Sequence, residues 1–480
     1  MLYLFPMKII KRFLIVLLLI VFLLLTVVGA ISGIDTFNTR YLNTSNFDSS
    51  NSWVIKNVHV IPMHQDTVLR NQTVVIESGR IKAISEAPDT QGFPEIDAKG
   101  KYLLPGLIDM HVHVWDKYEL GLYLANGVTA VRNLWGRPEH LKIIQQLSQH
   151  KIVGPFFFSS GPKLTGPEFI GDDNLQLFSV EEAIAAVDAA KANGFDLIKT
   201  YYGLPADYFE AIVQRAREIG LDVAAHPTPS VPYSDHLIPG VVSLEHAEDI
   251  VQQPLEFVLD TVKLNAVVDQ FARAKNTSFS PTLTVFHNIL NMLENPNILQ
   301  EGSMSFMNPM IRQEDSRAQF ERWSNALQED TTTPDRIRAQ HQFHLLALKK
   351  LHAAGVNIVC GTDAGIGVTV PGFSIHDELE LYHQAGLSNF EVLQTATVNP
   401  IRVHDFMSDL GTVEPGKFAN LLLVDHNPLA ELETLKNPSL VFVAGKRFEP
   451  KTLAAFKEKA KNRPNLWQSY LRYAYYLITK

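Results

Sequence analysis

Only one cysteine, Cys360, occurs in the 480-residue chain, which excludes an internal disulfide framework and any Cys-rich zinc module. It lies in an apolar run before Asp363 and reads as a small buried hydrophobe. Basic residues are not in excess. Lys and Arg number 42 against 51 Asp and Glu, and the net charge of −9 argues against a nucleic-acid partner. No internal repeat is found, so repeat architectures are not supported. Apolar residues make up 46% and charged residues 19%, the balance of a globular enzyme, and the length suffices for one large barrel plus a small satellite domain.

Long hydrophobic runs are lacking with one exception. Phe13 to Ile31 is broken only by Thr26 and Gly29, follows Lys8, Lys11 and Arg12, and comes near the ~20 residues that span a bilayer. Residues 1–35 therefore read as a signal peptide or membrane anchor. Val28-Gly-Ala30 suits a signal peptidase, whereas the length of the run favours an anchor. Either way the basic flank places the body outside the cytoplasm, membrane-anchored or periplasmic/secreted.

Residues 36–52, rich in Asn, Ser and Thr, read as a linker. Residues 53–106 alternate in the manner of short strands, with Glu77-Ser-Gly-Arg80 as a hairpin turn. Two later strands, Ala419 to Val424 and Leu440 to Gly445, should return to them. The expectation is a discontinuous β-sandwich domain of residues 53–106 and 410–450. Between these segments, residues 107–409 alternate strand and helix signals. Ser179-Val-Glu-Glu182 and Ser388-Asn-Phe-Glu391 are capping boxes. Pro155 to Phe158 is expected as the third strand, Ser280 to Val285 as the end of the seventh, and His344 to Gly355 as the helix before the eighth. Residues 295–338 exceed an ordinary connection and read either as a helical insertion over the barrel mouth or as a packed surface excursion. The fold class is α/β, a (β/α)8 TIM-like barrel, with the N-terminal hydrophobic helix and a C-terminal helical tail of residues 451–480.

The chemistry rests on Asp109-Met-His-Val-His113. Two residues apart in a strand, His111 and His113 face the same side and can share a metal. Lys199, His226, His246 and Asp363 each end a separate apolar run, which is where a barrel gathers its active-site residues. One such histidine is easily a packing residue. Four at three strand ends are hard to place unless a cation binds them. Asp363 could ligate a metal and accept a proton from water. Lys199, pointed into such a cluster, would be destabilised as an ammonium ion. The neutral amine can take up carbon dioxide as a bridging carbamate. Without the cluster it is a strand-end lysine reaching solvent.

Leu104-Pro-Gly-Leu-Ile-Asp-Met-His-Val-His113, Ile198-Lys199, Ala225-His226, Leu244-Glu-His246, Gly361-Thr-Asp-Ala-Gly365 and Gly411-Thr-Val-Glu-Pro-Gly-Lys417 together resemble the amidohydrolase superfamily. The likeness runs from about Val54 to Phe448. Its nearest branch holds imidazolonepropionase-like, prolidase-like and N-acyl-amino-acid carboxypeptidase enzymes, to which Ser374-Ile-His-Asp-Glu-Leu379 and Ala385-Gly-Leu387 are also similar. The resemblance implies two divalent ions, most simply zinc, with His111, His113 and Asp363 on one, His226 and His246 on the other, and a carboxylated Lys199 bridging them. It implies hydrolysis of amide bonds in small substrates, such as dipeptides or N-acyl amino acids, by a metal-activated water. Asn420, where the family usually has Asp, departs from the pattern in the β-domain, away from the site. Tyr201 and Tyr202 are expected as substrate contacts or as plain packing, with Arg132 and His376 as further pocket residues.

Two alternatives stand beside this expectation: hydrolysis of a cyclic amide, lactone or ester on the same site, and an inactive barrel kept as a binding scaffold. The partner is a small-molecule substrate, and the homo-oligomeric state is left open. The membrane is expected as a partner through the N-terminal segment. The tail is a second contact in one reading: Trp467, Tyr470, Leu471, Ala474, Leu477 and Ile478 recur at helical spacing as one apolar face, fringed by Tyr473, Tyr475 and Tyr476. The other reading packs that helix on the barrel.

Overall fold

A computed structural model describes residues 4–168 and 173–479, with side chains from residue 9 onward. Seven parallel strands follow one another in chain order around a barrel. They are Leu107–Val112, Val128–Asn133, Phe156–Thr165, Leu197–Thr200, Asp222–Ala225, Val241–Glu245 and Ser278–Ser280. Their side chains are almost continuously buried on both faces, as apolar runs in a helix-covered parallel sheet must be. The eighth position is an extended segment rather than a regular strand. Ile358 bridges Phe279, Ala364 bridges Val112, and Met110 N–H donates to Cys360 O at 2.8 Å, which closes the ring.

The helices follow from local chemistry. Ser179 accepts the Glu182 N–H and Gly194, at φ +87°, ends that helix, while Ser388 and Glu391 form a reciprocal capping box. Several boundaries differ from expectation. The third strand continues through Gly161-Pro162 to Thr165, because neighbouring strands pair with it despite the turn-like dipeptide. The seventh strand stops at Ser280 and a helix opens at Thr284. The helix before the closing segment starts at Thr333, with Pro334 in its first turn.

Segments from before and after the barrel meet in one mixed eight-stranded sheet. Tyr102–Pro105 pairs with Leu421–Val424, and Trp53–Val60 lies on its other side. Residues 36–52 are not a loose tether. Leu42 is fully buried, Tyr41 packs on Tyr118 and Phe456, and Asn43 bridges Ile152. The 295–338 segment is largely helical. Met304, Met307 and Met310 bury against a cluster that contains Trp115 and Trp135, just beyond the first two barrel strands. The tail forms two helices, Pro450–Lys461 and Leu466–Thr479. In the second, Tyr473 and Tyr476 turn inward onto Trp115 and Trp135, while Trp467, Ala474, Leu477 and Ile478 stay exposed.

Candidate metal centre

The period-two geometry of the first strand brings His111 and the residue just past its end, His113, to one face, as the spacing predicts. The Nε2 atoms of His113 and His111 lie 2.7 and 3.3 Å from Asp363 Oδ1, and the three residues can offer ligand atoms all within 4.8 Å of one another. Asp363 is held there by its own N–H, which donates to His111 O at 2.8 Å. It adopts φ +58°, and His246 adopts φ +70°. Non-glycine residues rarely take this conformation, and such strain gathers at functional sites. Gly365 follows at φ +104°, where an added Cβ would collide with the His113 carbonyl.

The remaining candidates close in from neighbouring strands. The rings of His111 and His246 are 4.8 Å apart, and those of His226 and His246 are 4.6 Å apart. His246 Nδ1 sits 3.0 Å from Thr282 Oγ1 and His226 Nε2 sits 3.4 Å from Asp249 Oδ2, so Nε2 and Nδ1 respectively are left for a ligand. Lys199 is buried, and its Nζ, like His226 Nδ1, has no hydrogen-bond partner among the described residues. Burial pushes Lys199 down to about 8, although Glu245 and Asp363 partly oppose it. Burial also lowers His111 to about 4, and lowers His226 and His246 well below the usual imidazole range. Burial alone would raise Asp363, but His111 and His113 beside it hold it well below the usual carboxylate range. Neutral imidazoles, an anionic carboxylate and a buried amine without a partner form a donor set that fits divalent cations.

Behind the candidate ligands lies a support that sequence reasoning missed. Glu245 Oε2 is 2.9 Å from His111 Nδ1, and Glu245 Oε1 is 2.8 Å from Arg132 Nη2. Arg132 also donates to Met110 O at 2.6 Å and Ser243 Oγ at 2.9 Å. Its guanidinium is completely buried, so the structure places it behind His111 rather than at an open pocket. The available signal was the alternation Ser243-Leu-Glu245, which points both polar side chains inward. Asp109 accepts from Thr362 Oγ1 at 2.8 Å and from Thr362 N at 3.1 Å, tying the first strand to the closing segment.

Tyr201 packs its ring 4.8 Å from His226, and Tyr202 lies at 6.2 Å with more exposure. His376 is buried on the helix Ser374–Gln384. Burial lowers it to about 3, with Lys436 and Lys457 as its charged neighbours, so it faces away from the cluster. Lys163, hidden from sequence reading by the shortened third strand, lies opposite Lys199 in the register. Its Nζ is 2.6 Å from Asp173 and 4.6 Å from the Tyr201 ring centre. Trp135 stands 6.1 Å from His113 and is stacked by Arg137.

Solved structures share this architecture. Bottromycin amidohydrolase superposes with a TM-score of 0.72 at 24% identity, covering 86% of this chain and 92% of that one. A prolidase candidate from Bifidobacterium longum gives 0.64 at 26%, covering 85% and 98%. A Xaa-Pro dipeptidase with bound methionine gives 0.64 at 19%, covering 83% and 100%. Curated relatives match over shorter stretches. The dihydroorotase of Carboxydothermus hydrogenoformans is 44% identical over 63 residues, 13% of this chain and 14% of that protein. The dihydroorotase of Pediococcus pentosaceus is 24% identical over 188 residues, 36% and 41%. This chain thus spans less than half the length of either curated relative. The family model reaches further: residues 102–448, the whole barrel with four strands of the mixed sheet, match the amidohydrolase family, and the chain belongs to that family.

Proposed function

We propose that this protein is a metal-dependent hydrolase of amide bonds in small substrates such as dipeptides or N-acyl amino acids. The observation that carries the reading is the convergence of His111, His113, Asp363, His226 and His246 around a buried, partnerless Lys199. His111, His113 and Asp363 would hold one divalent ion, most simply zinc, and His226 and His246 a second. Lys199, whose amine is easily neutral, would bridge them as its carbamate. When bound, such ions polarise a carbonyl and acidify water.

The protein's own groups supply the rest. Asp363 is an anion at the centre of the cluster, suited to take a proton from water and return it to the leaving amine. Glu245 and Arg132 fix the His111 ring from behind. Tyr201, whose ring packs beside that of His226, would contact the substrate, and Trp115 and Trp135 would wall one side against water. The prolidase and dipeptidase names among the structural relatives support a linear amide. The dihydroorotase names support the second reading, a cyclic amide. Metal analysis of the purified chain, with a screen of N-acyl amino acids, Xaa-Pro dipeptides, cyclic amides and lactones, tests both. About two zinc per chain with linear-amide turnover is expected. A metal-free, inactive chain would instead leave a binding scaffold.

A further inference from the structure

The N-terminal helix, Leu4–Asn38, enters the body on the mouth side of the barrel. Arg472 of the last helix pairs with Asp35 at 2.7 Å, and Gln468 lies 3.2 Å from Ser32 Oγ. That same last helix lays Tyr473 on Trp115 and Tyr476 on Trp135, both just past the C-terminal ends of barrel strands. Seven residues after Asp35, Leu42 O accepts from Val153 N, just before the third strand begins. The chain therefore descends from the mouth to the floor between Asp35 and Leu42. The apolar part of the helix continues the other way, out beyond the mouth. Its most apolar 18-residue window has a mean hydropathy of 3.4 and is not buried at all by the protein.

A second observation agrees. Outside that helix, the large apolar side chains left exposed concentrate on the same face. Phe178 follows the third strand, Tyr202 the fourth, and Phe257, Val258, Leu259 and Val262 the sixth. The last helix adds Trp467, Tyr475, Leu477 and Ile478. Among the described residues only Leu69 and Phe406 are comparably exposed elsewhere. Exposed apolar surface gathered on one face of a body marks an interaction surface. Here a helix long enough to cross a bilayer leaves from that face.

We propose that the barrel mouth is seated on the lipid bilayer, and that the substrate is an amphiphile drawn from it: an amide carrying a long apolar chain. The second half rests on the amide-hydrolase reading above. Beyond Tyr202, whose ring lies 6.2 Å from that of His226, a groove of about 570 Å³ is lined by Val231, Tyr233 and Phe257 together with the polar Ser234, Gln252, Gln253, Glu256 and Gln270. In this proposal the apolar chain lies along Val231, Tyr233 and Phe257, with the amide end turned past Tyr202 toward His226. Aromatic and aliphatic side chains at the rim suit the headgroup level.

The full-length chain in phosphatidylcholine/phosphatidylglycerol liposomes tests this. Cys360 is completely buried, so Val262→Cys, Ile478→Cys and Phe406→Cys each give one reactive thiol for an environment-sensitive fluorophore. Labels at 262 and 478 should be quenched by spin-labelled lipid, and the label at 406 should not. Equal, solvent-like behaviour of all three would overturn the seating. In the same liposomes an N-dodecanoyl amino acid should be hydrolysed with a kcat/KM at least tenfold above its N-acetyl counterpart. Val262→Asp should erase that advantage and leave the N-acetyl rate alone. Quenching without hydrolysis of either compound would sink the amide reading while upholding the seating. Hydrolysis with equal preference for both chains would overturn the amphiphile.

Discussion

Glu245 Oε2 lies 2.9 Å from His111 Nδ1, so the ring nitrogen directed at Asp363 is set by a carboxylate that is itself neutralised by Arg132. Supports of this kind raise ligand basicity and fix ring orientation. Burial opposes the charge on Glu245, yet Arg132 and His111 hold it well below the usual carboxylate range.

Glu245→Gln should therefore act twice. Metal affinity, measured by competition with a chromophoric chelator, should fall about 10–100-fold. Arg132 would be left as a buried cation without its anion, and denaturant titration of the metal-free protein should show a loss of about 3–5 kcal/mol. Unchanged metal affinity would show that Glu245 only balances Arg132.

Lys199→Ala should remove the bridging group. Metal analysis should find at most about one ion per chain and turnover should fall below detection, with partial recovery on adding short carboxylic acids. A variant that keeps both metal content and rate would rule out the bridge.

Asp363→Asn keeps the shape but cannot accept a proton. The rate should drop about 10²–10⁴-fold, the range for a lost general base, while circular dichroism and the melting profile stay close to the parent. Parental turnover would assign the proton transfer to another group.

Glu378 gives a pH signature in stability rather than catalysis. It is completely buried and accepts the N–H groups of Leu283 and Thr284 at 2.8 and 2.7 Å. Burial raises its pKa from the ordinary 4.5 to about 7 despite those bonds. Between these values the folded protein keeps a proton that the unfolded chain has released, so stability falls as pH rises from 4.5 through about 7. The loss should be on the order of 3 kcal/mol. Comparing Glu378→Gln with the parent by denaturant titration at pH 5 and pH 8 isolates it: the parent should lose more stability than the variant across that step. Parallel losses would mean Glu378 titrates normally.

The residues that converge in the candidate metal centre were legible in the sequence because each carries a local signature. A polar residue ending an apolar strand run stands out, and period two decides that His111 and His113 share a face. The apolar N-terminal helix and the return of Leu421–Val424 to the small β-domain were legible for the same reason: composition and alternation are local properties. Lys163 was not, because Gly161-Pro162 mimics a turn and only pairing with neighbouring strands keeps that stretch extended.

What only the tertiary structure decided are relations between residues far apart in the chain. Arg132 reads as a pocket cation until Glu245, 113 residues away, is seen to occupy it. Spacing alone groups Trp467, Tyr470, Leu471, Ala474, Leu477 and Ile478 as one apolar face of the last helix and leaves open whether that face packs on the barrel or meets the membrane. The body instead buries Tyr473 and Tyr476, since Trp115, Trp135 and the Asp173 carbonyl offer both ring contacts and an acceptor for a tyrosine hydroxyl. Periodicity defines which residues share a side of a helix, but the side that is buried depends on the partner surface, and that surface exists only once the barrel has closed.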